Sequence, residues 1–164
     1  MDKLWLVDQL IEQLRNSARV ALDASEAAAE EARDGATPAE KREDARAAIE
    51  FGSLARAQDR RARRALAEID RLTGFRPGPC APDAAVHVGA LVEVEDADTG
   101  EGRTFFLAPS GAGVTLSGPG GDGFLSVVTQ QSPVGRAVIG RRAGDVVDVT
   151  VEGEIREWTI TWVG

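Results

Sequence analysis

Side chains that commonly perform catalysis are scarce in this sequence. Its 164 residues include one cysteine, one histidine and no tyrosine. A single cysteine excludes a disulfide framework and a zinc site built from cysteines, and it suits a reducing compartment, so we expect a cytoplasmic protein. The single histidine leaves little for histidine-based acid–base chemistry.

Long apolar runs and an excess of positive charge are also missing. The longest apolar run near the start, Leu4–Val7, is far shorter than the roughly 20 residues of a membrane-spanning helix, so we expect no membrane partner. The net charge of −8 argues against binding to free nucleic acid, because such binding requires a basic surface.

Glycine and proline divide the sequence into two parts of different character. Residues 1–75 contain three of the 18 glycines and one of the seven prolines. These residues carry 13 Lys/Arg and 15 Asp/Glu, a net charge of −2, whereas residues 76–164 carry 6 and 12, a net charge of −6. The first part suits long helices, and the second suits short strands joined by turns.

The first part predicts two long helices that form an antiparallel coiled-coil hairpin over residues 1–74. Apolar or small residues recur at spacings of three and four, first at Leu4, Val7, Ile11, Leu14, Ala18, Ala21, Ser25, Ala28 and Ala32, and then at Ala48, Phe51, Ala55, Gln58, Ala62, Ala65, Ile69 and Leu72. Between the two runs, Gly35 suits a helix end, and Thr37 with Pro38 suits a helix start. We therefore expect the tip of the hairpin at about residues 34–44.

The second part predicts a small α+β domain at residues 86–164, after a linker at 75–85 that is rich in glycine and proline. Strand-like runs occupy residues 86–95, 103–108, 123–129, 146–151 and 155–163. One short helix interrupts them at residues 132–140, with Ser132 as its N-cap and Pro133 in its first turn.

Three segments resemble a known family, the bacterial transcript-cleavage factors of the GreA/GreB type. Residues 88–92 with 96–101 resemble the family's first strand and hairpin, and residues 156–160 resemble its last strand. The segment Ser132-Pro133-Val134-Gly135-Arg136-Ala137-Val138-Ile139-Gly140-Arg141 resembles the family signature Ser-Pro-x-(Gly/Ala)-Arg-Ala-(Leu/Ile)-(Leu/Ile)-Gly-(Lys/Arg). With the helical hairpin, the resemblance covers nearly the whole chain.

The resemblance implies a fold and a function. The fold is an N-terminal antiparallel coiled coil followed by an FKBP-like domain with an antiparallel sheet and one short helix. In this family the globular domain docks at the mouth of the secondary channel of bacterial RNA polymerase, and the coiled coil enters that channel. The polymerase then hydrolyses backtracked RNA, so the factor assists an enzyme and is not one itself. The expected docking residues are Ser132, Pro133, Arg136, Gly140 and Arg141, and a monomer is expected.

The tip of the coiled coil carries the family's acidic residues, in the pattern Asp-x-x-Glu-Asn. Glu40, Glu43 and Asp44 match this spacing, so the resemblance implies that they assist cleavage, with Glu40 and Glu43 as ligands of a Mg²⁺ ion shared at the polymerase active site. A shifted register remains open, in which Asp44 takes the leading position and Ala47 replaces the glutamate. In the alternative interpretation, these are ordinary acidic residues at a helix start, favoured by the helix dipole.

Five arginines lie within nine residues of the second helix. Four of them, Arg56, Arg60, Arg63 and Arg64, share one helical face, with Arg61 beside it. Some family members carry a basic patch on the coiled coil that contacts the 3′ segment of the nascent RNA. The alternative is a solvated face that pairs with Glu50, Asp59 and Glu68 in the same helix.

Other functions remain open at this stage. A homologue could occupy the channel and regulate or inhibit transcription without cleavage. More remote alternatives are a coiled-coil adaptor and a peptidyl-prolyl isomerase, the latter because the implied fold is FKBP-like. Isomerase activity requires an aromatic-lined pocket, and aromatic residues make up 5% of the chain.

Overall fold

A computed structural model describes residues 3–34, 43–118, 121 and 123–164, apart from the side chains of Asp34 and Asp44. The elements, in chain order, are α1 (Leu4–Asp34), α2 (Glu43–Leu72), β1 (Leu91–Asp96), β2 (Gly102–Leu107), β3 (Thr115–Ser117), β4 (Phe124–Val128), α3 (Pro133–Val138), β5 (Val146–Val151) and β6 (Glu154–Val163). They form two compact units: Glu12–Asp70, and Met1–Ile11 together with Arg71–Gly164. None of the described helices is long and apolar enough to cross a membrane.

The two-helix unit, Glu12–Asp70, has a core of small side chains. Its buried residues occur at the predicted spacing of three and four, at Leu14, Ala18, Ala21 and Ala28 on α1 and at Ala62 and Ala65 on α2. The Ser25 hydroxyl donates a hydrogen bond of 2.9 Å to the Ala55 carbonyl, which joins the two helices directly. The predicted positions are confirmed at these residues, whereas Phe51, which was also predicted to face the other helix, is 36% exposed.

The prediction is only partly right at the start of α1, where Val7 is buried as expected. Leu4 is 36% exposed, whereas Leu6 and Leu10 are fully buried. The reason is that these first turns belong to the sheet unit. A Cβ atom added at Gly111 would lie 2.7 Å from Leu10 Cδ1, so this glycine admits the leucine side chain.

The sheet unit contains a six-stranded sheet of order β3-β4-β2-β1-β6-β5. The sheet is mixed, because β2 and β4 pair in parallel and place Phe106 beside Val127. The sequence analysis expected an antiparallel sheet, which holds for the pairs β1–β2, β1–β6, β3–β4 and β5–β6. The sheet and α3 enclose a core that includes Trp158, Ile160, Val138 and Val147.

Two differences from the predicted strands concern short segments. The three-residue strand β3 was not predicted, because it lies in a stretch rich in turn residues. Residues 86–90 were predicted as part of a strand and precede β1 instead. The backbone of Val86 is nevertheless paired, since its N–H donates to the Arg141 carbonyl at 2.7 Å and its carbonyl accepts from the Gly140 N–H at 2.8 Å.

Asp96 fastens the end of β1 to the neighbouring strand. Its carboxylate accepts the backbone N–H groups of Asp98 and Thr99, each at 3.0 Å, and the indole N–H of Trp158 at 3.1 Å. Arg156 lies 3.6 Å from the same carboxylate. The hydrogen bond from the Thr99 backbone, followed by those from Trp158 and Asp98, lowers the pKa of Asp96 from 3.8 to about 2.

Candidate functional site

The segment that carries the family signature begins at a well-formed helix cap. Ser132 has an extended backbone, and its hydroxyl accepts the N–H of Gly135 at 3.1 Å. The same hydroxyl donates to the Thr129 carbonyl at 2.8 Å. Pro133 follows as the first residue of α3, where its missing N–H costs nothing because that group has no partner inside the helix. Ser132 and Pro133 therefore fix where α3 begins.

Gly135 allows α3 to approach the preceding chain closely. A Cβ atom at this position would lie 1.8 Å from the Thr129 carbonyl oxygen and 3.0 Å from the Ser132 hydroxyl. No side chain fits there without a shift of the backbone. The sequence analysis noted Gly135 only as a member of the signature, and the contact shows what a glycine does at this place.

The other end of the segment is held by the pairing with Val86. Gly140 adopts a φ of 75°, in the left-handed region that favours glycine, directly after the helix. Arg141 follows, and its carbonyl accepts the Val86 N–H. The structure therefore brings the predicted docking residues Ser132, Pro133, Gly140 and Arg141 together on one segment that is anchored at both ends.

A groove of about 500 Å³ lies beside this segment. It is lined by Arg136, Ala137, Ile139, Arg141, Val146, Val147, Asp148 and Glu157. The side chains of Arg136 and Arg141 are exposed, and neither forms an ion pair with any residue that the structure describes. Two cationic side chains on a segment that is hydrogen-bonded at both ends therefore face solvent and are available to a partner.

Sequence reasoning missed the acidic side of this groove. Asp148 on β5 and Glu157 on β6 are directly opposite each other in the antiparallel pair. The turn at Glu152-Gly153, which the sequence shows, would have given this register, because a two-residue turn fixes which residues of the two strands face each other.

The four side chains of the arginine face of α2 are exposed in the described structure. Arg63 forms a 2.8 Å ion pair with Asp59, and Arg56 donates to the Ser53 hydroxyl at 3.3 Å. Arg60 and Arg64 have no ion pair among the described residues. The pairing expected for a purely solvated face is thus present for Arg63, and two arginines of the face keep their charge unpaired.

The predicted acidic tip is described only in part. Glu43 is the first residue of α2, and its side chain is exposed. Asp44 follows within the helix, but its side chain and the whole of Glu40 lie outside the described residues. Among the described residues, no three potential ligands come together as a metal site. The Glu43 carboxylate offers oxygen atoms, the ligand type that Mg²⁺ prefers. It therefore suits the role of one carboxylate ligand of an ion that is shared with another protein.

The comparison with known families decides the identity of the chain. Residues 81–164 match the family described as "Transcription elongation factor, GreA/GreB, C-term". The chain belongs to the GreA/GreB family of transcription elongation factors. The match covers every strand of the sheet unit and the whole of α3, so the predicted family is confirmed.

The individual relatives share limited sequence identity with this chain. The transcription elongation factor GreA of Phenylobacterium zucineum is 29% identical over 112 residues, which are 68% of this chain and 60% of that protein. The GreA of Clostridium novyi is 34% identical over 76 residues, 46% of this chain and 43% of that protein. The matched regions thus span less than two thirds of either relative. Among solved structures, GreA factor homolog 1 of Thermus thermophilus matches with a TM-score of 0.41 and 19% identity, over 96% of this chain and 94% of that one.

Proposed function

We propose that this GreA/GreB-family factor binds bacterial RNA polymerase at its secondary channel and stimulates the cleavage of backtracked RNA. The observation that carries the proposal is the family match over residues 81–164, the part of the chain that contains the whole signature segment. The polymerase supplies the hydrolytic chemistry in this proposal, and the factor supplies docking and acidic groups. The factor would act in the bacterial cytoplasm, where its partner works.

The signature segment is the proposed docking surface. Its backbone is fixed by the Ser132 cap and by the Val86 pairing, so Arg136 and Arg141 are presented without the entropy loss of ordering a loop. Arginine suits such a role, because its planar guanidinium makes paired hydrogen bonds with carboxylates. We therefore expect an acidic patch on the polymerase opposite these two side chains.

The two-helix unit is the proposed channel-entering part. A helix of 31 residues such as α1 is about 46 Å long at 1.5 Å per residue, and the alanine-lined core lets the two helices pack closely. Glu43, with Glu40 and Asp44, would approach the polymerase active site. There Glu40 and Glu43 would hold a Mg²⁺ ion that polarises the phosphate and activates water when it is bound. The chain itself would contribute the carboxylates, of which Glu43 is the first residue of α2.

The arginine face is proposed to contact the nascent RNA. Arg60 and Arg64 lack acidic partners in the described structure, and one turn of helix separates them, so both can address the same stretch of phosphates. This contact is electrostatic and carries no sequence preference. It would hold the extruded 3′ segment while the polymerase cleaves it.

A second candidate function is the regulation of transcription without cleavage. The observation that favours it is the tip sequence, in which Glu40 stands where the family pattern has aspartate. A longer side chain at a metal-binding position changes the distance between the backbone and the ion. Such a factor would occupy the same channel and slow elongation.

A cleavage assay distinguishes the two candidates. A backtracked elongation complex with labelled RNA is incubated with Mg²⁺ and the factor, and the shortened RNA is quantified. The Glu40→Ala/Glu43→Ala variant is expected to reduce cleavage at least about tenfold, because a lost metal contact of about 1.4 kcal/mol already gives that factor. The Asp8→Ala/Glu12→Ala variant is the control, since it removes two exposed acidic residues far from the turn.

Three results carry the interpretation. Cleavage that is lost only in the tip variant supports the proposed function. Slowed elongation without cleavage by the unaltered protein favours the regulator. If the protein fails to bind polymerase, or if an Arg136→Ala/Arg141→Ala variant binds as tightly as the unaltered protein, the proposed docking surface is wrong.

A further inference from the structure

The exposed arginines of α2 reach closer to the start of the helix than the arginine face does. Successive residues of an α-helix are about 100° apart around the axis. One line along the surface of α2, within about 60° of a single direction, carries the exposed residues Arg46, Ile49, Ser53, Arg56, Arg60, Arg63 and Arg64. We call it the arginine line. Arg46 extends the arginine face by about 15 Å toward Glu43.

The arginine line contains no acidic residue within the described range of α2. Beyond the first turn, the carboxylates of α2 lie to either side of it, Glu50 and Glu68 on one flank and Asp59 and Asp70 on the other. The buried Ala62 and Ala65 lie on the opposite side of the helix, so the line faces away from α1. A chain with a net charge of −8 thus carries one line on which every charged side chain is positive.

Arg46 has two acidic neighbours on its own helix and is joined to neither. Glu43 lies three residues before it and Glu50 four residues after it, spacings at which exposed charges commonly pair. No ion pair links Arg46 to either carboxylate or to any other residue that the structure describes. The Arg46 guanidinium is therefore available to a ligand, as are those of Arg60 and Arg64.

The position of Arg46 also bears on the proposed metal contact. Residues three apart on a helix have Cβ atoms about 5–6 Å apart, and a positive charge that close to Glu43 opposes the binding of Mg²⁺. Over residues 40–46 the three acidic residues are balanced by three basic ones, so this segment has no net charge with which to attract a metal ion alone. An anion on the Arg46 guanidinium removes the opposition, and the anion present in the proposed reaction is an RNA phosphate.

We propose that Arg46 binds a phosphate of the extruded RNA next to the cleaved bond, and that the RNA continues along the arginine line toward Arg64. The proposal rests on the function proposed above. Because Glu43 lies at the Arg46 end of the line, the nucleotides nearest the cleaved bond lie there and the free 3′ end lies toward Arg64. Arg46 and Arg60 are about 21 Å apart along the helix axis, so they contact different nucleotides.

The composition of the line favours RNA over an acidic protein surface as its occupant. The core of a protein interface is depleted of charge and contains apolar or aromatic anchors. Ile49, which is 69% exposed, is the only large apolar residue on the line in the described part of α2. Arginines are spread along about 27 Å of the line, and interfaces with nucleic acid are much more positive than those between proteins.

An affinity measurement on elongation complexes tests this contact. Complexes with and without an extruded RNA segment are prepared without Mg²⁺, and the affinity of the factor for each is measured at several salt concentrations. Arg46→Ala is expected to weaken binding only to the complex with extruded RNA. There the slope of log affinity against log salt should become shallower by about 0.7, the value for one phosphate contact with a single strand.

Arg61→Ala is the matched control. Arg61 is an exposed arginine of the same helix that lies beside the arginine line, so its removal changes the net charge equally and should leave both affinities unchanged. Arg46→Lys keeps the charge and should restore most of the binding that Arg46→Ala loses.

Photocrosslinking tests the order of the contacts along the line. The photoreactive nucleotide 4-thiouridine is placed at successive positions of the extruded segment. Arg46→Ala should reduce crosslinking to the factor most at the nucleotide nearest the cleaved bond. Arg60→Ala/Arg64→Ala should reduce it most at nucleotides closer to the 3′ end.

The outcomes separate this contact from its alternatives. Equal weakening with and without extruded RNA would assign Arg46 to an acidic surface of the polymerase. Faster cleavage by Arg46→Ala at low Mg²⁺ would show that the side chain only opposes the metal ion, and the proposal would be wrong. Loss of crosslinking at the same nucleotide in both variants would overturn the order. If the unaltered factor binds neither complex, the function proposed above is also wrong, a failure distinct from the others.

Discussion

Replacement of Gly135 by alanine tests whether the signature segment is held by a close backbone approach. The added Cβ atom would lie 1.8 Å from the Thr129 carbonyl oxygen, far inside van der Waals contact. Insertion of extra atoms into a packed site costs about 1–3 kcal/mol. The obstructing atom here belongs to the backbone and has no rotamer to change, so we expect a loss of about 3 kcal/mol, at the upper end of that range.

The three tryptophans report on the affected unit. Trp5, Trp158 and Trp162 all belong to the sheet unit, so their fluorescence follows its unfolding in urea. With a denaturant slope of about 2 kcal/mol per molar, a loss of about 3 kcal/mol lowers the urea midpoint by about 1.5 M. The same variant should bind polymerase more weakly, because the shift of Thr129 also removes the acceptor of the Ser132 hydroxyl.

Gly52→Ala is the matched control for this substitution. Its added Cβ atom would meet only the flexible end of Arg56 at 3.6 Å, and Gly52 lies inside α2. Alanine is favoured over glycine in a helix by about 0.5–1 kcal/mol, so this variant is expected to stabilise the two-helix unit, measured by far-UV circular dichroism. A Gly135→Ala protein with an unchanged fluorescence midpoint would refute the close-approach argument.

Two further substitutions probe the sheet unit. Leu10→Ala should lower the free energy of unfolding by about 2–5 kcal/mol, because Leu10 is fully buried beside Gly111. Leu22→Ala, at a partly exposed position on the same helix, is the control and should cost less than about 1 kcal/mol. Equal urea midpoints of the two variants would contradict the packing described. Asp96→Asn should destabilise the protein at pH 7, since the new amide N–H₂ competes with the indole donor of Trp158. The pKa of Asp96 is lowered from 3.8 to about 2, so its stabilisation is complete above about pH 4 and is lost as the pH falls through about 2. The urea midpoints of the two proteins should therefore converge on acidification, and a constant difference would exclude a role for the charge.

The spacing of apolar and small residues predicted the buried positions where a helix packs against a single neighbouring helix. From Leu14 onward the spacing of small residues in α1 matches the buried positions, because a single helix faces it. Before Leu14 the same spacing identified the buried Val7 but also the exposed Leu4, and it left out Leu6 and Leu10. Leu10 lies there against Gly111, which is far away in the chain, and no local pattern contains that contact. The parallel pairing of β2 with β4 was missed for the same reason, since strand direction depends on how the chain crosses over.

Site residues were predictable to the extent that they form a contiguous motif. The signature from Ser132 to Arg141 was recognised as a unit, and the structure adds what each residue does: a cap, a close approach and a helix end. Asp148 and Glu157 were not singled out, because they are nine positions apart and meet only through strand pairing. The roles of Glu40, Glu43 and Asp44 stay a prediction, with Glu43 alone described in full.

The contact between the two ends of the sheet unit bears on the order of folding. Lys3 donates to the Gly164 carbonyl at 3.2 Å across 161 positions of sequence, and burial lowers the pKa of its ammonium group. The chain thus leaves the sheet unit after Ile11 and returns to it at Arg71, which makes the two-helix unit an insertion within it. During synthesis the helices can pair early through local contacts, whereas the sheet unit must wait for its final strand, and pairings over such sequence distances form slowly.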